Sequence, residues 1–181
     1  DELTPDEAVR AGYDAQDGLR EALCAAFGDK TLRDMPKPVL IPAFNLTTWE
    51  PHYFKSWDGS DDLDLKIVDV LLATSAAPTY FPAHEIDGVG VFCDGGIFNN
   101  NPSDSMVAEL VSRGLSRDSV SLLSVGTGRN PYKGVKPGEP VDLGYIQWLK
   151  PPPMLLEALF DGAVRASHYR ARVGLGERYF R

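Results

Sequence analysis

Asp94 carries the chemistry that the chain most plainly offers. It follows a short apolar run and precedes Gly95-Gly96. A carboxylate at a strand end can take a proton from a hydroxyl nucleophile, and two glycines permit positive φ and a sharp turn that leaves it facing a cleft. An aspartate in an Asp-Gly pair also caps turns, a reading that its neighbours weigh against. Upstream lies Ala73-Thr74-Ser75-Ala76-Ala77-Pro78-Thr79-Tyr80-Phe81-Pro82, and downstream Asn99-Asn100-Asn101-Pro102. The small residues of the first segment suit a tightly packed helix end. Its hydroxyls, Thr74 and Ser75, read as helix termination rather than nucleophiles. Asn99 and Asn100 are candidates to orient a substrate or to shape the turn, and Asn101 reads as a helix cap.

Other residues give weaker signals. Gly126-Thr127-Gly128 lacks the lysine and spacing of a Walker loop and reads as a strand-to-loop turn. His52, His84 and His168 have no partner at metal-ligand spacing, so each reads as a structural or surface histidine and no metal site is expected. The acidic run from Asp58 to Asp64 lacks a calcium-loop pattern and reads as a solvated turn. Trp148, Pro151-Pro152-Pro153 and Met154-Leu155-Leu156 suggest either a lipid-touching lid or, preferably, a helix start buried in its own core.

The elements that must position these groups follow from local pattern. Thr4, Pro5 and Glu7 form a capping-box start for a helix to about Phe27, stopped by Gly28. Val39 to Phe44 predicts a buried strand and Tyr53 to Trp57 a shorter one. The polar turn at 58–62 is placed to cap a helix carrying Leu63, Ile67, Val68, Leu71 and Leu72, which must end near Ala77 because of Pro78. Val89 to Cys93 predicts a strand ending at Asp94. Asn101 and Pro102 predict the cap and first position of a helix through Arg113, with Gly114 as its stop. Val120 to Val125 predicts another buried strand. A Pro/Gly-rich connection containing Tyr132 and Tyr145 leads to a last helix from about Pro153 to Val173. Alternation of strands and helices predicts an α/β, three-layer α/β/α architecture with a mainly parallel sheet. In such sheets functional groups gather beyond the carboxyl ends of strands, where Asp94 and Gly126-Thr127-Gly128 are predicted.

Bulk properties narrow the function. The 181 residues suffice for one domain with a real core, and 43% hydrophobic with 24% charged residues is ordinary globular composition. A net charge of −8 argues against a broad nucleic-acid or anionic-membrane surface, although Arg165, Arg170, Arg172, Arg178 and Arg181 crowd the C-terminus. No apolar run is long enough to cross a bilayer, and the first residues do not read as a signal peptide. Cys24 and Cys93 fall in apolar stretches and read as buried free thiols, favouring a reducing, cytoplasmic location.

Taken together, Ala73-Thr74-Ser75-Ala76-Ala77-Pro78, Asp94-Gly95-Gly96 and Asn100-Asn101-Pro102 resemble, in order and spacing, the motifs of the patatin-like phospholipases, and Leu123-Ser124-Val125-Gly126-Thr127-Gly128 is similar to that family's later strand and turn. The resemblance covers about Val39 to Gly128. It implies a serine-aspartate dyad acting on lipid acyl esters, with Asp94 as base and no histidine, a glycine-rich oxyanion loop, and no metal or organic cofactor. Gly95 and Gly96 would support the turn, and Asn99 and Asn100 would orient substrate. The implied partners are a lipid or acyl-ester substrate and a peripheral membrane surface, with no nucleic acid.

The family's Gly-x-Ser-x-Gly elbow has no counterpart in the chain. Gly114-Leu115-Ser116-Arg117-Asp118 comes nearest, but it lacks the last glycine and follows a helix. Residues 1–181 are therefore expected to be the C-terminal portion of one patatin-like domain, its sheet incomplete for want of N-terminal strands, and inactive alone. Such a sheet would expose an edge and tend to aggregate or borrow a strand. A catalytically dead module that binds a partner or lipid surface is the alternative. An unrelated α/β hydrolase or phosphate-binding domain is a third.

Overall fold

Thr4 opens the first helix through its own side chain. In the computed structural model, which describes residues 4–57, 59–128, 138, 144, 148 and 154–181, helix α1 spans Pro5–Phe27. The Thr4 hydroxyl accepts the Glu7 N–H, and the Glu7 carboxylate accepts the Thr4 N–H at 2.8 Å, the reciprocal cap expected from the sequence. Gly28, at φ 57°, ends the helix. The partly buried positions of its inner face, Gly12, Gln16, Leu19, Arg20, Leu23 and Phe27, recur every three or four residues. Cys24 lies off this stripe and is exposed, which corrects the expectation of a buried thiol. Cys93 is buried.

Contacts divide the chain into two compact units, Asp1–Phe98 and Asn99–Arg181. The first holds β1 (Leu40–Asn45), β2 (Glu50–Lys55), α2 (Ile67–Ser75), β3 (His84–Ile86) and β4 (Gly90–Asp94). The strands form one sheet in the order β2-β1-β4-β3, and every neighbouring pair is antiparallel. The class is α/β, as expected, but the mainly parallel sheet is not found. The links decide this: residues 46–49 join β1 to β2 and 87–89 join β3 to β4, and loops this short can join only antiparallel strands. Asn45 builds the first turn by accepting the Thr47 and Thr48 N–H groups, and Gly88, at φ 72°, permits the second.

Alternation along the strands sorts the two faces. Ala43, Phe54, Ile86 and Phe92 pack with Ile67, Val70 and Ala73 of α2 and with Leu32 to form the core. Helix α1 packs in turn on α2. On the opposite face, Phe98 of the one-turn helix α3 (Gly96–Asn99) meets Phe44 and Tyr53. The acidic turn departs from expectation. Lys66 sits at the α2 cap position without a side-chain capping bond, and Asp62 is buried rather than solvated. Asp62 accepts the Lys55 N–H at 3.2 Å and the Ser60 hydroxyl at 3.1 Å, and lies 3.0 Å from His52 Nε2. These partners offset the cost of burying its charge.

The second unit holds α4 (Ser103–Ser112), β5 (Leu122–Leu123), α5 (Met154–Leu175) and β6 (Tyr179–Phe180). Val107, Val120 and Leu175 form its core, with Leu110, Leu122 and Tyr179 packed around them. β5 and β6 pair in parallel over two residues each. The expected buried strand from Val120 to Val125 is thus reduced to two residues. Val120 is buried, but Leu123 and Val125 are 73% and 84% exposed. Met154 and Leu155 are exposed as well, which corrects the reading of a helix start buried in its own core. The connection with Tyr132 and Tyr145, and Pro151 to Pro153, lie outside the described residues.

Candidate active-site turn

The end of α2 clasps the strands that carry Asp94. The helix stops at Ser75, three residues before Pro78. Its last turn is built of small side chains, and Ala73 and Ala76 are 0% and 1% exposed. That lets backbone approach backbone. The Thr74 hydroxyl donates to the Pro42 carbonyl of β1 at 2.6 Å, and the Ala76 carbonyl accepts the Asp94 N–H at 2.9 Å. Within the sheet Ala43 stands opposite Asp94. The end of β4 is thereby held by α2 on one side and β1 on the other.

Gly95 completes the clasp. A Cβ at this position would lie 2.3 Å from the Pro42 oxygen, 2.5 Å from its carbonyl carbon and 2.9 Å from the Ala43 nitrogen. Neither Gly95 nor Gly96 adopts positive φ, so the expected conformational reason for the pair does not hold. Gly95 is needed because β1 occupies the space of a side chain. Gly96 opens α3, and its N–H donates to Asp94 Oδ1 at 2.6 Å. The other carboxylate oxygen has no hydrogen-bond partner among the described residues. Burial pushes the Asp94 carboxyl up. The Gly96 N–H opposes this only in part, so the group stays above its ordinary value. The neighbouring Cys93 thiol is raised by burial and by the Asp94 charge.

The asparagines open the second unit. Asn99 is buried and donates to the Ser105 hydroxyl at 2.8 Å. Asn100 is exposed. Asn101 is buried and accepts the Ser103 N–H at 3.3 Å and hydroxyl at 2.6 Å. Helix α4 begins at Ser103 with Pro102 at its cap position, one residue later than expected, yet Asn101 still takes up an N–H of the first turn.

The hydroxyls of Thr74, Ser75 and Ser116 are engaged. Thr74 serves Pro42, and Ser75 donates to the Leu71 carbonyl at 2.7 Å. Ser116 accepts the Asp118 N–H and caps a short 3-10 turn. His52 and His84 each have a carboxylate partner other than Asp94, namely Asp62 and Asp69. Burial holds the His84 imidazole below its ordinary value despite Asp69. Among the described residues no cluster of His, Cys, Asp and Glu is arranged to hold a metal ion, and no helix is long and apolar enough to cross a membrane.

Sequence reasoning passed over two features here. One is the Thr74–Pro42–Gly95 contact, foreshadowed only by the run of small residues. The other is Thr79, a β-branched residue at φ 72°, where the chain turns after Pro78 at a cost in backbone strain.

Comparison with known proteins bears on this geometry. Residues 8–107 match the family model described as patatin-like phospholipase. A cGAMP-activated phospholipase of Pseudomonas aeruginosa is 34% identical over 172 residues, covering 90% of this chain and 49% of that protein. One from Vibrio cholerae is 38% identical over 132 residues, 66% of this chain and 37% of that protein. Patatin-like protein 3 of Arabidopsis thaliana is 31% identical over 139 residues, covering 64% and 32%. The chain thus spans about half the length, or less, of the curated relatives that it matches.

Proposed function

The chain belongs to the patatin-like phospholipase family, and from that footing we propose that it supplies the general base, Asp94, of a serine-aspartate lipid acyl hydrolase. The nucleophilic serine and the oxyanion loop belong to residues outside this chain. One observation carries the reading: Asp94 is a partly desolvated carboxylate with one oxygen pinned by the Gly96 N–H and the other without a partner among the described residues.

That arrangement suits a base. The pinned oxygen fixes the carboxylate plane, and the second is available to a hydroxyl. Burial raises the proton affinity of Asp94, so it takes a serine proton more readily than an ordinary carboxylate would. The serine oxygen attacks the acyl carbonyl as its proton passes to Asp94. The protonated Asp94 then returns the proton to the departing alkoxide, and water repeats the sequence to free the acid. Gly95 and Gly96 hold the turn through contact and hydrogen bond. Asn99, whose amide serves Ser105, and exposed Asn100 are the proposed substrate-orienting residues, on the strength of the family motif. The substrate is a lipid acyl ester reached by peripheral contact with a membrane.

The engaged states of Thr74, Ser75 and Ser116 support an external nucleophile. The test compares three proteins on a phospholipid and a short-chain ester: this chain, a longer protein with its upstream residues, and the longer protein with Asp94→Asn. The chain alone should be inactive. Asp94→Asn should lower turnover of the longer protein by about 10²–10⁴-fold. The pH–rate limb of the parent should lie above the ordinary carboxylate value of 3.8. An unaffected Asp94→Asn protein refutes the assignment. A folded but inactive longer protein would point instead to a module that binds a partner or lipid surface.

A further inference from the structure

The basic C-terminal segment, which the proposed hydrolase chemistry does not use, borders an open depression of its own. This surface depression of about 450 Å³ within the second unit is lined by half-buried His168 and Tyr179 and by exposed Arg172, Gly176, Glu177 and Arg181. None of these belongs to the Asp94 turn. His168 and Arg172 stand one helical turn apart on α5, so they share a face. Tyr179 opens β6 and Arg181 follows its last residue, and both line the depression. Gly176, at φ 58°, bends the chain between them.

The charges lining the cavity favour an anion. Arg170 and Arg178 are paired with Asp104 and Asp118, and Arg181 donates to the Ser124 hydroxyl at 3.3 Å. Arg172 has no ion pair or hydrogen bond among the described residues. The lining thus presents two guanidinium groups against one carboxylate, in a chain of net charge −8. Tyr179 reports the local field. Burial pushes its phenol up, but hydrogen bonds from Ser124 and Arg181 and the charge of Arg181 outweigh that and leave it below its ordinary value. The Tyr179 hydroxyl and His168 Nδ1 lie 3.0 Å apart, adding polar groups beside the guanidinium forks.

The geometry points to a phosphate-binding site: Arg172 and Arg181 grip the phosphoryl oxygens of a phosphomonoester or phosphodiester, with Tyr179 and His168 completing the shell. Guanidinium forks match phosphate oxygens in pairs. The volume leaves room for an organic portion beyond the phosphate. A lipid headgroup and a small soluble phosphate ester share this chemistry.

The test uses the 181-residue chain and reads binding without activity. Inorganic phosphate, then methyl phosphate, is titrated at low salt while amide resonances of residues 168–181 are followed by NMR. Saturable shifts should centre on Gly176 and Tyr179. Arg172→Gln should weaken binding about tenfold, the loss of one charge-assisted contact. Arg165→Gln, exposed on the same helix outside the cavity, should leave it unchanged. Pelleting with phosphatidylglycerol and phosphatidylcholine vesicles separates the sources. Loss of vesicle binding in Arg172→Gln assigns a lipid headgroup, and loss of methyl phosphate binding alone assigns a soluble ester. Non-saturating shifts, or equal effects of Arg165→Gln and Arg172→Gln, would reduce the site to general charge attraction and overturn the inference.

Discussion

Gly95→Ala is the sharpest perturbation of the turn that holds Asp94. Carbon contacts ordinarily lie at about 3.5–4.0 Å, and the new methyl would stand 2.3 Å from the Pro42 oxygen. β1 would have to retreat by about 1 Å. It cannot do so cheaply, because it lies between β2 and β4 and is tied to α2 through Thr74. Overpacking of this kind costs about 1–3 kcal/mol, and loss of the Thr74 hydrogen bond adds about 1 kcal/mol. A total of about 3 kcal/mol is a large part of a typical domain stability of about 5–15 kcal/mol. The melting temperature should fall by roughly 6–12 °C. Gly18→Ala is the matched control. Gly18 lies inside α1 with nothing within 4 Å of its would-be Cβ, so alanine there should stabilise by about 0.5–1 kcal/mol. Urea unfolding followed by circular dichroism and by tryptophan fluorescence measures both, with Trp49 packed on Phe44 of β1 among the reporters. If Gly95→Ala unfolds within about 0.5 kcal/mol of the parent, the contact reasoning is wrong.

Two further outcomes follow from the half-buried Asp94 and the buried Asp62. Folding raises the Asp94 carboxyl, so its contribution is fully present below the unfolded value and is lost as pH rises through the folded one. Asp94→Asn removes that loss: the variant should be more stable than the parent at pH 7 and equal to it near pH 3 in parallel urea titrations, and the reverse ordering refutes the assignment of the shift. Asp62 behaves oppositely. Burial pushes it up, but hydrogen bonds from His52, Lys55 and Ser60 outweigh burial and hold it below its ordinary value. Its contribution is present above the unfolded value and lost as pH falls through the folded one. Asp62→Ala should therefore cost about 3 kcal/mol at pH 7, with the gap closing in acid; a pH-independent gap would contradict the charge-based account.

Local signals proved sufficient where the partners are close in sequence. The Thr4–Glu7 box, the stop at Gly28 and the helix end before Pro78 rest on interactions within about four residues, and each is present; the strand ending at Asp94 is present too, although its partners there, Ala43 and Ala76, are distant in sequence. Asp94, Gly95 and Gly96 were legible as a candidate site on the same grounds, because the short motifs around them lie in order along the chain. Their geometry was not. The sequence suggested conformational freedom at Gly95, whereas the neighbouring strand supplies the constraint.

The amino-acid sequence by itself therefore determined both ends of α1, the stop of α2 and the family motifs, since capping and the effect of proline on its neighbour are properties of adjacent residues, whereas α2 and α4 begin later than local pattern placed them. Tertiary structure decided the rest. Antiparallel pairing came from which segments close short loops on one another, a choice that strand pattern leaves open because buried strands of either sense are apolar. Burial of Asp62 and exposure of Cys24, Leu123 and Val125 depended on what each face met after folding. The clasp of Thr74, Pro42 and Gly95 joins residues 32 positions apart between Thr74 and Pro42, and only the packed backbone could bring them together to hold the carboxylate.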